Sequence, residues 1–460
     1  VTIGNIVSSI GLQDKVISGG ALAPLVTVAN AADLETQRCI AYALCNLAAD
    51  PRRRVDIVRE GGLPSLISMA CSEDRSDQLA AMATLRGITS QAENRRQVFQ
   101  ANMVEPLTLG TRSIDIEVKV ETAGVFAAMS INDDNKLDMA NSDQLLINLV
   151  ELLKVDDLRC LRQSMGCLAN LTERQESHPF LRRFQIHVVV LEHIHNTDIA
   201  LGREVTRVLT NLAAIHENHP PLVGGGAIGG LALGCAKTDA VSARFSSLGL
   251  MNLSTLQENH RDIIMAKAYE PLIDLAEGSV RKWFALDSTG QKLEERGDTK
   301  PDSPRAVSDW EFIQEFKYDK EARRYAVLAL GNLAMSDLSH GPLMQEKCIA
   351  ALNQCMDSPD NETRFAAAFC LNKLAMIEAN IEFIGESGSI PRLVDLLSSP
   401  EPDTVAQATA VLRHLAMRVE NRVHMLVANI LDPLSNVAKS TDFETLREVA
   451  TLSCLMGLTD

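Results

Sequence analysis

The nine residues Leu328-Ala329-Leu330-Gly331-Asn332-Leu333-Ala334-Met335-Ser336 are one copy of a phrase that returns through the whole chain. Aligned on the Asn332 position, the copies fall at Asn5, Asn46, Gly87, Ala128, Asn170, Asn211, Asn252, Asn332, Lys373, His414 and Cys454. The steps are 41, 41, 41, 42, 41, 41, 80, 41, 41 and 40, so one exceeds the usual step by 80 − 41 = 39 residues. A period of this length marks an array of stacked units with no single globular core.

Inside the phrase, apolar residues stand two places before the aligned position and one place after it. Leu44 and Leu47, Leu168 and Leu171, Leu330 and Leu333, and Leu412 and Leu415 are examples. Positions three apart share a helix face, so these residues predict a long helix with a continuous buried stripe. The residues around one copy complete the unit. Asn94 to Gln100 reads as a short first helix, Pro106 opens a second, and Asp115 to Met129 carries the long third. Gly61-Gly62 before Pro64 and Gly388 before Pro391 punctuate the corner between the first two helices. Seven residues after the aligned position stand Asn94, Asn135, Asn218, Asn259, Asn380 and Asn421. Asn is a favoured N-cap, so these six are expected to cap the first helix of each unit.

The 46% hydrophobic content with only 4% aromatics suits stacked Leu/Ala helices. Ten cysteines without a CxxC pair suit a reducing compartment, and the expected location is cytoplasmic, with the nucleus as an alternative. A net charge of −16 disfavours a nonspecific grip on nucleic acid or anionic lipid. Pro220 to Ala236 is uncharged but too broken by glycine and proline to span a membrane. Asn5 lies one period before Asn46, so residues 1–9 read as the remnant third helix of a truncated repeat, and 1–460 as a segment of a longer polypeptide. Repeats then run over 10–277 and 320–460, with the extra residues at 278–319 as an insertion loop. Its centre, Ser288 to Arg305, is polar and charged and is expected to be mobile. Both tryptophans, Trp283 and Trp310, lie on its flanks, either sealing the loop base against the repeats or forming a partner-binding hook.

The 41-residue unit of short, medium and long helices resembles the armadillo repeat. Leu330-Gly331-Asn332-Leu333-Ala334, Glu93-Asn94-Arg95, Glu420-Asn421-Arg422 and Val58-Arg59-Glu60-Gly61-Gly62-Leu63-Pro64 carry the resemblance. It implies an all-α, right-handed superhelical solenoid of three-helix repeats. It also implies that third helices line a concave groove, where the Asn hydrogen-bonds an extended peptide. On that basis the groove candidates are Asn46, Asn170, Asn211, Asn252, Asn332, Lys373 and His414. An amide offers both a donor and an acceptor to a peptide bond; tying neighbouring helices together is its other possible role. Eight residues before the aligned position stand Arg38, Arg162, Arg203, Arg244 and Arg324, and Arg207 lies four before Asn211. This basic edge could read acidic or phosphorylated groups, or each Arg could pair with a carboxylate at a helix start. The importin-like variant wants Trp four residues before the Asn. Here those positions hold Tyr42, Gly166, Arg207, Leu248 and Leu328, so the beta-catenin-like and vacuolar-armadillo-like variants fit better.

Catalytic signatures are missing from the sequence. His193-Ile194-His195 and His216-Glu217-Asn218-His219 lack the HExxH spacing, and the run Gly224-Gly225-Gly226 has no following Lys-Ser/Thr. The expected function is a non-enzymatic scaffold without cofactor or metal that binds an extended protein segment. The alternative is a structural subunit or adaptor of a cytoskeletal or membrane-associated assembly, docking through its ends, outer face and insertion.

Overall fold

The computed structural model describes residues 19–31, 33–236, 239–278, 283–286, 292–296, 319–440 and 442–457. The described helices belong to two compact units, Val1–Ile215 and His216–Asp460. Each is a stack of helix triplets.

The long third helices of the first unit are α1 (Leu34–Ala48), α2 (Arg75–Thr89), α3 (Ile116–Ser130), α4 (Leu158–Thr172) and α5 (Ile199–Ala213). Those of the second are α6 (Ala240–Leu253), α7 (Lys320–Leu333), α8 (Asn361–Ala375), α9 (Pro402–Leu415) and α10 (Phe443–Leu455). Within each unit, consecutive third helices pack side by side. Their seam is the leucine stripe: Leu44, Leu47, Leu85, Ile88, Phe126, Met129, Leu330, Leu333, Leu412 and Leu415 are fully buried. Burying such side chains stabilises the stack by about 1.5–3 kcal/mol each.

The corner between first and second helices needs a left-handed residue, and that requirement is itself periodic. Gly20, Gly61, Asn102, Gln185, Gly226, Lys267, Gly388 and Asn429 all have φ between 49° and 89°. Gly and Asn tolerate this region best, which explains the glycine punctuation.

Five of the six asparagines expected as N-caps do something else. Asn94, Asn135, Asn259, Asn380 and Asn421 are buried, and each donates Nδ2 to the carbonyl six residues earlier: Ile88, Met129, Leu253, Leu374 and Leu415. These distances run from 2.8 to 3.1 Å. Asn218 is buried at the same position. The amides therefore satisfy carbonyls left over at the end of the preceding third helix, rather than N–H groups at the start of the next. Burial explains the choice, because a buried carbonyl left without a partner costs about as much as a lost hydrogen bond.

In the second unit, helices His260–Met265 and Tyr269–Glu277 precede the insertion and α7 follows it. Within the insertion, β1 (Trp283–Leu286) pairs antiparallel with β2 (Lys292–Arg296), Trp283 opposite Arg296 and Phe284 opposite Glu295. Lys292–Arg296 thus forms a strand in a stretch whose polarity suggested mobility; the β-prone Trp-Phe pair on β1 supplies its ladder partner. Trp310 and residues 1–18 lie outside the described residues.

Candidate functional site

The stripe that buries the third helices also sets which side chains remain accessible. Asn46, Asn170 and Asn211 in the first unit are half-buried, as are Asn252, Asn332, Lys373 and His414 in the second. Three of the amides reach back to the end of the preceding third helix. Asn170 Nδ2 donates to Ser130 Oγ at 2.9 Å, and Asn211 Nδ2 to Thr172 Oγ1 at 3.1 Å and Ala169 O at 3.3 Å. In the second unit Asn332 Nδ2 donates to Ser254 Oγ at 3.1 Å. Asn170 Oδ1 accepts from Arg207 Nη2 at 2.5 Å, and Arg207 lies 3.3 Å from the Glu204 carboxylate. Burial pushes the Glu204 carboxyl above its usual range, against the pull of Arg207. These contacts fix the orientation of each amide. Asn332 has a second N–H and an oxygen to offer, Asn170 a second N–H and the other lone pair of its oxygen, and Asn211, whose Nδ2 already reaches two acceptors, its oxygen.

Toward the end of the second unit the same face changes character. Lys373 Nζ sits 5.2 Å over the Phe369 ring, and Phe369 stacks on Phe365 at 6.1 Å between centroids. Arg413 donates to His414 Nε2 at 2.9 Å. Burial first and Arg413 second hold the His414 imidazole below its ordinary pKa, favouring the neutral ring.

The basic row is committed to carboxylates of the next repeat. Arg38 lies 3.0 Å from Asp74 and 2.7 Å from Asp77, and Arg162 lies 2.5 Å from Asp198. Arg244 lies 2.7 Å from Asp319 and 3.1 Å from Glu321, and Arg324 lies 2.5 Å from Glu362. Arg203 is exposed at the equivalent position.

Two periodic columns escaped the reading from sequence. Asp33, Asp74, Asp115, Asp157, Asp198, Asp239, Asp319 and Asp360 stand thirteen places before the aligned position and accept from first-turn N–H groups as the N-caps of α1 to α8. Eight places after it stand Arg54, His178, His260, His340 and Arg422. Each donates a side-chain N–H to the carbonyl six residues back, at 2.6 to 3.0 Å. Aligning columns beyond the central phrase would have found both. Phe369 was missed because it occupies the Trp position in a repeat that carries Lys373 instead of Asn.

The histidine clusters have structural partners: His193 Nε2 contacts Leu153 O at 2.9 Å, and His219 is buried beside Asn259. Among the described residues, no group of three His, Cys, Asp or Glu could hold a metal ion. No described helix is long and apolar enough to cross a membrane.

Comparison with known proteins agrees with the helix register. Residues 378–417 match the Armadillo/beta-catenin-like repeat model. The matched stretch is one armadillo repeat, and the same three-helix unit recurs through the described residues. Vacuolar protein 8 of Schizosaccharomyces pombe is 21% identical over 182 residues, 39% of this chain and 32% of that protein. Its Saccharomyces cerevisiae counterpart is 26% identical over 168 residues, 36% of this chain and 29% of that protein. The matches thus span about a third of those relatives' length. The crystal structure of an engineered protein superposes with a TM-score of 0.72 at 22% identity, covering 95% of this chain and 98% of the other.

Proposed function

We propose that this armadillo chain is a non-enzymatic scaffold that captures an extended segment of a partner protein along the exposed face of its third helices. The observation that carries the proposal is the set of anchored amides at Asn170, Asn211 and Asn332, each held by a hydrogen bond to the preceding third helix. Third helices pack about 8–10 Å apart, so within a unit one amide meets every two or three residues of an extended chain rising about 3.3–3.6 Å per residue. Phe365, Phe369 and Lys373 add an aromatic and cationic patch for side chains. Because Arg38, Arg162, Arg244 and Arg324 are already paired, backbone capture rather than acidic-group recognition leads the reading. The unpaired thiols suit a cytoplasmic setting.

The test is an array of extended peptides probed with the intact chain, with Asn211→Ala and Asn332→Ala alone and combined. A loss of about tenfold in affinity per amide pair is expected, as a buried hydrogen-bonding group left unpaired costs about 1–3 kcal/mol. Unchanged binding by the double variant, folded by circular dichroism, overturns it. Loss on deleting residues 279–318 instead would favour docking through the insertion.

A further inference from the structure

A second surface of the second unit carries a pattern that the third-helix face does not explain. Three places after the aligned position stand Met335, Met376 and Met417, in three consecutive repeats. They sit just beyond the C-terminal ends of α7, α8 and α9, which pack side by side. Upstream, the same position holds Ala49, Ser90, Ile131, Glu173, Ala214 and Thr255. Two residues past Met417 begins the helix Val419–Val427, where Val419, Val423 and Val427 form an i, i+4, i+8 stripe. These six side chains are 48% to 77% exposed.

The valine positions are not simply a bare end of the stack. At the equivalents of Val419, the other repeats carry Pro51, Ala92, Asp133, Gln175, His216, Gln257, Asp337 and Glu378, and all are exposed. At the equivalents of Val427 stand Arg59, Gln100, Asn141, Arg183, Gly224, Met265, Gln345 and Glu386, again all exposed. A neighbouring repeat therefore leaves these two positions in solvent, yet here they are valine. A row of exposed apolar side chains on adjacent repeats marks a binding surface. Methionine suits one that must adapt to its partner.

We propose that the ribbon from Met335 through Met417 to Val427 docks an amphipathic helix with basic residues flanking its apolar face. Two observations select that occupant. The ribbon offers apolar side chains and no row of amides, so an extended segment would leave its backbone unpaired, whereas a helix satisfies its own. The rim is acidic: Asp337, Glu378, Glu382, Glu386 and Glu420 are all exposed, and of these Glu382 is paired with Arg418 at 2.7 Å. Such a rim complements Lys and Arg and repels anionic lipid headgroups. Met335 to Met417 spans two repeat spacings, matching a helix of about 13 residues at about 1.5 Å per residue.

The experiment uses the intact chain and a fluorescent 14-residue helical peptide with Leu at i, i+3, i+4 and i+7 and Lys on the flanks. A second peptide has Glu in place of Lys, and vesicles of phosphatidylcholine with phosphatidylserine are the lipid arm. Binding of the Lys peptide, at least about tenfold weaker for the Glu peptide and for the triple variant Met335→Gln, Met376→Gln, Met417→Gln, is expected. Because the methionines are exposed, the variant should keep its thermal unfolding midpoint. Equal binding by the variant, equal binding of the Glu peptide, or vesicle binding in place of peptide binding overturns the proposal. So does a chain dimer, seen by sedimentation, that the triple variant dissolves. The extended-peptide array is unaffected by this variant, which separates the ribbon from the third-helix face.

Discussion

Asn135 donates Nδ2 to the carbonyl oxygen of Met129 at 3.1 Å, and the same nitrogen reaches the Arg95 carbonyl at 3.1 Å. One buried amide thus closes the end of α3 and ties two successive first helices together. Asn132, three residues earlier, has the opposite role: its side chain accepts from the Asn135 backbone N–H at 3.2 Å as an ordinary N-cap. Asn135→Ala should cost about 1–3 kcal/mol, because both carbonyls lose their partner at a fully buried position. Asn132→Ala should cost about 0.5–2 kcal/mol. Urea unfolding of the two variants checks the order. Asn135→Asp should be worse than Asn135→Ala, since it aims a carboxylate at two carbonyl oxygens.

Asp198 does two jobs, and they can be separated. It caps α5 by accepting from Leu201 N at 2.8 Å, and it pairs with Arg162 of the preceding third helix. The Arg162 guanidinium first, and the Leu201 N–H second, hold its carboxyl below the ordinary range. A depressed folded pKa means the unfolded state binds protons first. The stability it contributes is therefore present above the unfolded value of about 3.9 and is lost as pH falls through the folded value. Asp198→Asn should flatten the acid limb of the stability curve below about pH 4. Arg162→Ala, removing only an exposed partner, should do less harm at neutral pH than Asp198→Ala, which also loses the cap.

His178 should make the chain acid-sensitive in a higher window. It is buried with Nε2 against Thr172 O at 2.8 Å, and burial pulls its pKa below the ordinary histidine value despite the carbonyl. The unfolded state protonates first, so stability falls as pH drops below about 6.5. His178→Gln keeps a donor but cannot titrate. The difference in unfolding midpoint between wild type and His178→Gln should therefore shift against wild type from pH 7 to pH 5. An unchanged difference would show that the ring does not titrate there.

The architecture was legible because Leu330 and its equivalents report burial through a 3-residue spacing that no other local feature disturbs. The roles of polar residues were less legible, and the asparagines show why. Asn94 and Asn135 stand where a first helix begins, and helix starts favour Asn, so local propensity pointed to capping. Their partners are carbonyls that share no helix with them and lie 6 and about 40 residues away. Only the stacking of repeats brings those together. The aspartate column was readable in principle, since Asp74, Asp115 and Asp157 precede their helices in the ordinary N-cap manner. The apolar phrase that follows it in each repeat is the stronger periodic signal. The insertion hairpin depends on pairing between segments with no repeat to announce them.

Two glycines on third helices give a sharper test of the proposed binding face. A Cβ at Gly331 would lie 2.7 Å from Phe369 Cδ1, whereas at Gly166 the nearest side-chain atom, Glu204 Cδ, would be 3.9 Å away. Phe369 cannot yield easily, because it stacks on Phe365 and lies under Lys373. Gly331→Ala should therefore rotate the ring and cost about 1–3 kcal/mol, as overpacking does. Gly166→Ala should instead stabilise by up to about 1 kcal/mol, since Ala is the better helix former and meets only ordinary contacts. If the face binds extended peptides as proposed, Gly331→Ala should also weaken those that use the aromatic patch, while Phe369→Leu weakens them without the steric clash. Gly331→Ala with intact stability and intact peptide binding would mean that the Gly331–Phe369 contact constrains neither the fold nor the face.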